Sequence, residues 1–171
     1  LLTTAPNQLK HYQIGIDVAL ATNEAHCKIS AADSNIQSDV IWAKENAQGD
    51  YYLRSKNIGW TILKPTGFMQ NFLKAKRGIA KGFLQSINPN GSIACIAIRD
   101  IALVAKFVLT EENHIGAMYF LTGPEIISYK DAAEKLTKVL GYEIKNVTVS
   151  SDDMRKRLET VGLRIGVLTP S

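Results

Sequence analysis

The chain has 171 residues, of which 46% are hydrophobic and 21% charged, and its formal net charge is +4. That is enough for one domain with a real core, and the mix is ordinary for a globular protein. The mild charge excludes little by itself, but no apolar stretch is long enough to span a bilayer.

The basic residues are scattered. Lys74, Lys76, Arg77 and Lys81 form one cluster, and Arg155, Lys156 and Arg157 another. No aromatic residues sit between these charges to stack on bases. Both clusters therefore read as solvated helix faces, and no direct nucleic-acid contact is expected. Cys27 and Cys95 lie in apolar runs outside any CxxC or Cys/His pattern. They read as buried free thiols of a cytoplasmic protein, and no metal site is expected. The N-terminus lacks a basic stretch followed by an apolar one, so no signal peptide is read there. It opens on an apolar run, as if inside a domain.

In chain order, Leu1 to Thr4 reads as a short strand stopped by Ala5-Pro6. From about Asn7 to Thr22, Leu9, Ile14, Val18 and Ala21 recur at helical spacing, with Asn7 as N-cap. Ala25 to Ser30 reads as a strand and about Val40 to Lys56 as a helix ended by Asn57. Gly59 to Leu63 is a strong strand signal stopped by Pro65. Strands alternating with helices argue for a parallel sheet.

Gly67 to Leu84 gives a weaker pattern, with an apolar patch at Phe68, Met69, Phe72 and Leu73. Ile93 to Ile98 reads as a strand, after which Asp100 is expected to cap a helix carrying Leu103, Val104, Phe107 and Val108. Met118 to Leu121 reads as a strand ended by Gly123-Pro124. Ser128 and Asp131 have the spacing of a capping box, and Gly141 the position of a C-terminal cap. Ile144 to Val149 alternates like a half-buried strand. Ser150 or Ser151 would cap a last helix carrying Met154, Leu158 and Val161, ended by Gly162.

Three segments, in order, carry a resemblance. They are Tyr52 to Leu73 (YLRSKNIGWTILKPTGFMQNFL), Ile98 to Ala102 followed by Leu109-Thr110-Glu111, and Tyr119 to Pro124 followed by Ser128-Tyr129. Together they resemble the NmrA-like group of atypical short-chain dehydrogenases/reductases, which includes NAD(P)H:quinone oxidoreductases and dye reductases. The resemblance runs from Leu1 to about Leu163. It implies a partial Rossmann-type fold: a doubly wound, mainly parallel sheet with a small C-terminal α+β substrate lobe. Residues 1–171 would form a single N-terminally truncated domain, with 1–66 as the sheet half and 67–171 mainly as the substrate lobe.

In that family three strands and a Gly-rich turn precede the segment like Leu1 to Thr4. The twelve glycines here contain no G-x-G-x-x-G or G-x-x-G-x-x-G. That turn would hold the pyrophosphate of NADP(H) or NAD(H), the cofactor of the intact family. The Tyr-x-x-x-Lys pair of many short-chain dehydrogenases has no counterpart either. Roughly Trp42 and Asn46 stand in its place, as NmrA-like members commonly allow. No catalytic residue is assigned.

The resemblance still implies cofactor-side positions. Thr3, Thr4 and Ala5 would end a strand at the cofactor crevice. Lys28 and Ser30 match a Lys-x-Ser pattern at the end of the next. Pro65, Thr66, Gly67 and Phe68 would wall the nicotinamide, and Phe68, Met69 and Phe72 would line an apolar pocket for a planar acceptor. Each has a plainer reading. Thr3, Thr4 and Ser30 could be strand-end residues and Lys28 an exposed charge. Gly67 could serve only the turn after Pro65, and the three apolar side chains could be core. His11, His26 and His114 read as surface or satisfied polar residues.

Three functions stay open at this point: hydride transfer from NAD(P)H to a quinone-like or other planar acceptor, non-catalytic sensing of NADP(H) by a regulatory protein, and an inactive truncated remnant. The expected partner is a small planar molecule, with no membrane; a homo-oligomer stays open.

Overall fold

Helix α1, Gln8–Thr22, is apolar on more than one side, so its sequence does not decide which face turns inward. In the computed structural model, which describes residues 8–88, 90–153 and 156, Gln8, Ile16 and Ala19 are buried while Ile14 and Val18 are exposed. The inward face is therefore offset from the Leu9, Ile14, Val18, Ala21 pattern. The expected first strand, the Asn7 cap and all of the last helix beyond its start lie outside the described residues.

Strand β1, His26–Ile29, leads to α2, Ile41–Arg54, and then to β2, Trp60–Pro65. Helix α2 ends at Arg54, ahead of Asn57. Its buried stripe is Ala43, Asn46, Gly49, Asp50 and Leu53, so two polar side chains point into the interior. β2 is flanked by β1 and by β5, Ala117–Leu121, in a three-stranded, all-parallel sheet of order β1-β2-β5. A central parallel strand is covered on both faces and reads as a continuous apolar run. Thr61, Ile62, Leu63 and Pro65 are accordingly buried.

The described chain divides into two units. One holds the described residues up to Thr66 together with Arg99–Thr122. Its core is Ile16, Leu53 and Ile62, surrounded by Tyr12, Tyr52, Ile58, Trp60 and Met118. The other unit holds Gly67–Ile98 and the described residues from Gly123 onward. Its core is Leu84, Ile127, Ala132, Ala133 and Ile144, with Phe72, Ala75, Ile79 and Leu136 against it.

In this second unit a 3-10 helix, Met69–Ala75, runs into a single turn, α3, Lys76–Ile79. Strand β3, Phe83–Ser86, pairs in parallel with β7, Lys145–Thr148. Strand β7 is mostly exposed, rather than the half-buried strand that its alternation suggests. The apolar run from Ile93 supplies only β4, Ser92–Ile93, which pairs antiparallel with β6, Ile127–Ser128. The rest of the run makes one bridge, Ile96 to Phe68, and then turns helical.

Helix α4 is Ile98–Thr110, which corrects the expected cap. Asp100 lies within the first turn, and the Ile98 amide donates instead to the side-chain carbonyl of Gln70 at 3.1 Å. A carboxylate in that turn still favours the helix through its dipole. Helix α5, Tyr129–Leu140, has the capping box that its sequence specifies. The Asp131 amide donates to Ser128 Oγ at 3.1 Å, and the Ser128 amide donates to the Asp131 carboxylate at 2.8 Å. Gly141 closes the helix in the left-handed region, at φ 76°.

Candidate functional site

Lys28 and Ser30 lie at the end of β1, where a parallel sheet presents its ligand-binding edge. Neither is a solvent-facing charge or turn residue, because Lys28 is only 2% exposed and Ser30 is fully buried. Both are held by Asp50 of α2. The Lys28 ammonium reaches one carboxylate oxygen at 2.7 Å, and the Ser30 hydroxyl donates to the other at 2.7 Å. The Lys64 ammonium lies 3.8 Å from that second oxygen.

Lys28 also donates to the Asn46 carbonyl at 3.3 Å and sits 4.0 Å from the centre of the Tyr12 ring. Burial lowers its pKa below the usual lysine value; Asp50 opposes the shift, and Lys64 adds to it. Tyr12 completes the cluster. Its hydroxyl accepts from Gln8 and donates to Asn46 Oδ1, the latter at 2.9 Å. Burial raises the Tyr12 pKa, so the phenol keeps its proton. Asn46 is thus a buried hydrogen-bond junction, which also donates to the Trp42 carbonyl at 2.9 Å. Lys28, Ser30 and Asp50 are thus engaged with one another.

Pro65 ends β2 and Thr66 follows it. The Thr66 amide donates to the Leu121 carbonyl at 2.9 Å, which continues the pairing with β5. Thr3, Thr4 and Ala5 lie outside the described residues.

A second set of predicted residues meets in the other unit. Gly67, Phe68 and Phe72 line a cavity of about 560 Å³ together with Ile93, Cys95 and Tyr129. A side chain at Gly67 would come within 2.9 Å of Ile93 Cδ1, so the missing Cβ keeps this wall open. The rings of Phe72 and Tyr129 meet edge to face, with centroids 5.9 Å apart. Met69 lies outside this lining and is 43% exposed. Asn71 adds an amide to the wall, and the Tyr129 hydroxyl makes no hydrogen bond among the described residues. Such a cavity suits a flat, mostly apolar molecule oriented by a few polar groups.

Cys95 and Cys27 are free thiols, as expected, and each is half-buried; burial raises both pKa values and keeps the thiols protonated at neutral pH. Tyr129 and Cys95 are among the lining residues that the sequence did not single out as part of a site. Tyr129 directly follows the Ser128 cap, and that adjacency was a usable signal. Cys95 gave none, because its place depends on the bridge between Ile96 and Phe68.

No family model matches the chain. A (4-alkanoyl-5-oxo-2,5-dihydrofuran-3-yl)methyl phosphate reductase of Streptomyces griseus is 27% identical over 161 residues, covering 92% of this chain and 57% of the relative. An NAD(P)H azoreductase of Xenophilus azovorans is 30% identical over 135 residues, covering 78% of this chain and 46% of the relative. The NADPH-dependent quinone oxidoreductase of Escherichia coli, solved with NADPH, superposes with a TM-score of 0.84 at 24% identity, over 96% of this chain and 59% of that one.

These likenesses fit the NmrA-like group of atypical short-chain dehydrogenases/reductases that the sequence resembles. The chain's sheet and helices are those of a Rossmann-type NAD(P)-binding reductase fold. The chain spans about half the length of the curated relatives it matches. Among its described residues, no helix is long and apolar enough to cross a membrane.

Proposed function

We propose that the chain forms the acceptor-binding part of an NAD(P)H-dependent reductase whose acceptor is flat and mostly apolar. The observation that carries this reading is the cavity between Gly67 and Tyr129 in a chain whose relatives are named as NAD(P)H reductases. The described residues fit one end of a dinucleotide better than the other. An apolar wall at Gly67 and Phe68 suits a planar ring, whereas no Gly-rich turn offers amides to a pyrophosphate. Lys28 and Ser30 are engaged with Asp50.

When bound, the dinucleotide supplies the hydride. The chain's own residues would align the acceptor and exclude water. Phe68, Phe72 and Tyr129 offer ring faces and edges to a flat molecule, and Asn71 and the Tyr129 phenol offer hydrogen bonds to its carbonyl or azo groups. With Trp42 and Asn46 in place of a Tyr-Lys pair, the acceptor must be one that takes a hydride with little proton assistance, as quinones and dyes do. A phosphate-bearing acceptor, like that in the name of the Streptomyces griseus relative, is compatible with the same cavity.

The test is a titration of the 171-residue chain with NADPH followed by nicotinamide fluorescence, then NADPH oxidation with a planar quinone, with thermal melting as the folding control. Saturable binding and quinone-dependent oxidation are expected. A folded chain that does neither overturns the reading for this polypeptide. Binding without oxidation favours an NADP(H) sensor, a reading supported by the hydrogen-bonded Asn46 at the place of the catalytic lysine.

A further inference from the structure

Lys74, Arg77 and Lys81 stand at i, i+3 and i+7 along the 3-10 helix, α3 and the turn that follows. The three cations come together around one hollow, where like charges repel and cost stability. All three are exposed, and none has an acidic partner among the described residues, although the chain carries 16 acidic side chains. With Gly78, Phe83 and Gln85 they line a hollow of about 320 Å³.

This hollow adjoins the acceptor cavity. Lys74, Ala75 and Gln85 line both. One space is apolar and aromatic, the other is cationic, and they share a wall within the same unit. A ligand that fills both would have a flat apolar body and one anionic arm.

We propose that Lys74, Arg77 and Lys81 form a subsite for an anionic arm of the acceptor: a sulfonate, carboxylate or phosphate attached to the planar body. The proposal rests on the acceptor reading of the cavity and adds a charge requirement to it. Arg77 offers a planar fork suited to such oxyanions, and the two lysines add mobile charges. Binding through this subsite weakens with added salt, because the cations are solvent-exposed.

The experiment measures binding of anthraquinone-2-sulfonate and of 2-(hydroxymethyl)anthraquinone to the whole chain by calorimetry, for the native protein and for Arg77→Gln/Lys81→Gln. These two residues line the basic hollow but not the apolar cavity, and both are exposed, so the variant is expected to melt like the native chain. The native chain is expected to bind the sulfonate about tenfold more tightly than the neutral quinone at low salt. The variant is expected to lose that preference and keep its affinity for the neutral quinone. Inorganic phosphate should compete with the sulfonate only weakly, since it lacks the body that fills the cavity.

Equal binding of both quinones by the native chain overturns the subsite and leaves the acceptor cavity standing. Failure to bind either quinone overturns both readings. If the variant instead loses a preference for NADPH over NADH while binding both quinones alike, the cations serve the dinucleotide, and the proposal falls.

Discussion

Asp50 accepts from Lys28 and Ser30 on its two oxygens; these three residues are buried, and the half-buried Lys64 lies nearby. Taking a lysine and an aspartate out of water costs several kcal/mol per ion, recovered only through close pairing and satisfied hydrogen bonds. Asp50→Asn removes the charge and keeps the shape, leaving the Lys28 ammonium buried without its counter-ion. The expected loss is about 3 kcal/mol in urea unfolding, and Lys28→Met added to it should restore most of that loss. A loss below about 1 kcal/mol for the single variant would show that Lys28 escapes to solvent.

The pH dependence has a definite sign. Burial lowers the Lys28 pKa in the folded chain below its ordinary value of 10.5, so near that range the unfolded chain binds more protons. The contribution of Lys28 to stability therefore rises with pH, from the folded pKa up to the ordinary one. In Lys28→Met this alkaline rise is absent. The double variant also bears on function. If NADPH binding survives in a folded Lys28→Met/Asp50→Asn chain, the pair is structural.

At the scale of single elements, the turn after β5 is set by one close approach. The Gly123 amide donates to the Ala94 carbonyl at 3.1 Å, and a Cβ at this position would overlap the Cys95 carbonyl oxygen. The obstacle is backbone, not the movable end of a side chain. Gly123→Ala should cost about 2 kcal/mol or more and displace the segment that carries Cys95, one wall of the cavity. Urea unfolding reads the first effect, and a changed rate of Cys95 alkylation reads the second. Native values for both would mean that the turn yields easily.

What was legible in sequence follows from the range of the interactions involved. The capping box at Ser128 and Asp131 and the Gly141 cap are formed within one helix, and both stand where their spacing put them. The alternation of α1, β1, α2 and β2 was likewise legible, because each apolar run is bounded by its own stop signals. The start of α4 was not. Its first amide is satisfied by Gln70, 28 residues away, and no local pattern carries that partner. The same holds for the site. Phe68 and Phe72 were legible as an apolar patch, whereas the burial of Lys28 depends on Asp50, which looks like any solvent-facing helix acid in sequence.

Over the whole molecule, the two units hold separate cores with no residue in common. The first is organised around a parallel sheet and encloses an ion pair; the second packs α5 on β3 and carries both the acceptor cavity and the basic hollow. Loss of packing in one core should therefore loosen its own unit first. Leu84 is 1% exposed at the centre of the second core, and Leu84→Ala should remove about 2–5 kcal/mol there. Amides of β3, β7 and α5 should then exchange with solvent faster, while those of β1 and β2 keep most of their protection. Leu53→Ala, in the first core, should give the reverse pattern. Equal acceleration across both units in either variant would mean that the chain opens as one cooperative body. The acceptor cavity could not then be perturbed without loosening the Lys28–Asp50 pair. If the two patterns separate, quinone affinity should fall with Leu84→Ala and hold with Leu53→Ala, which assigns acceptor binding to the second unit by a route independent of the cavity's own side chains.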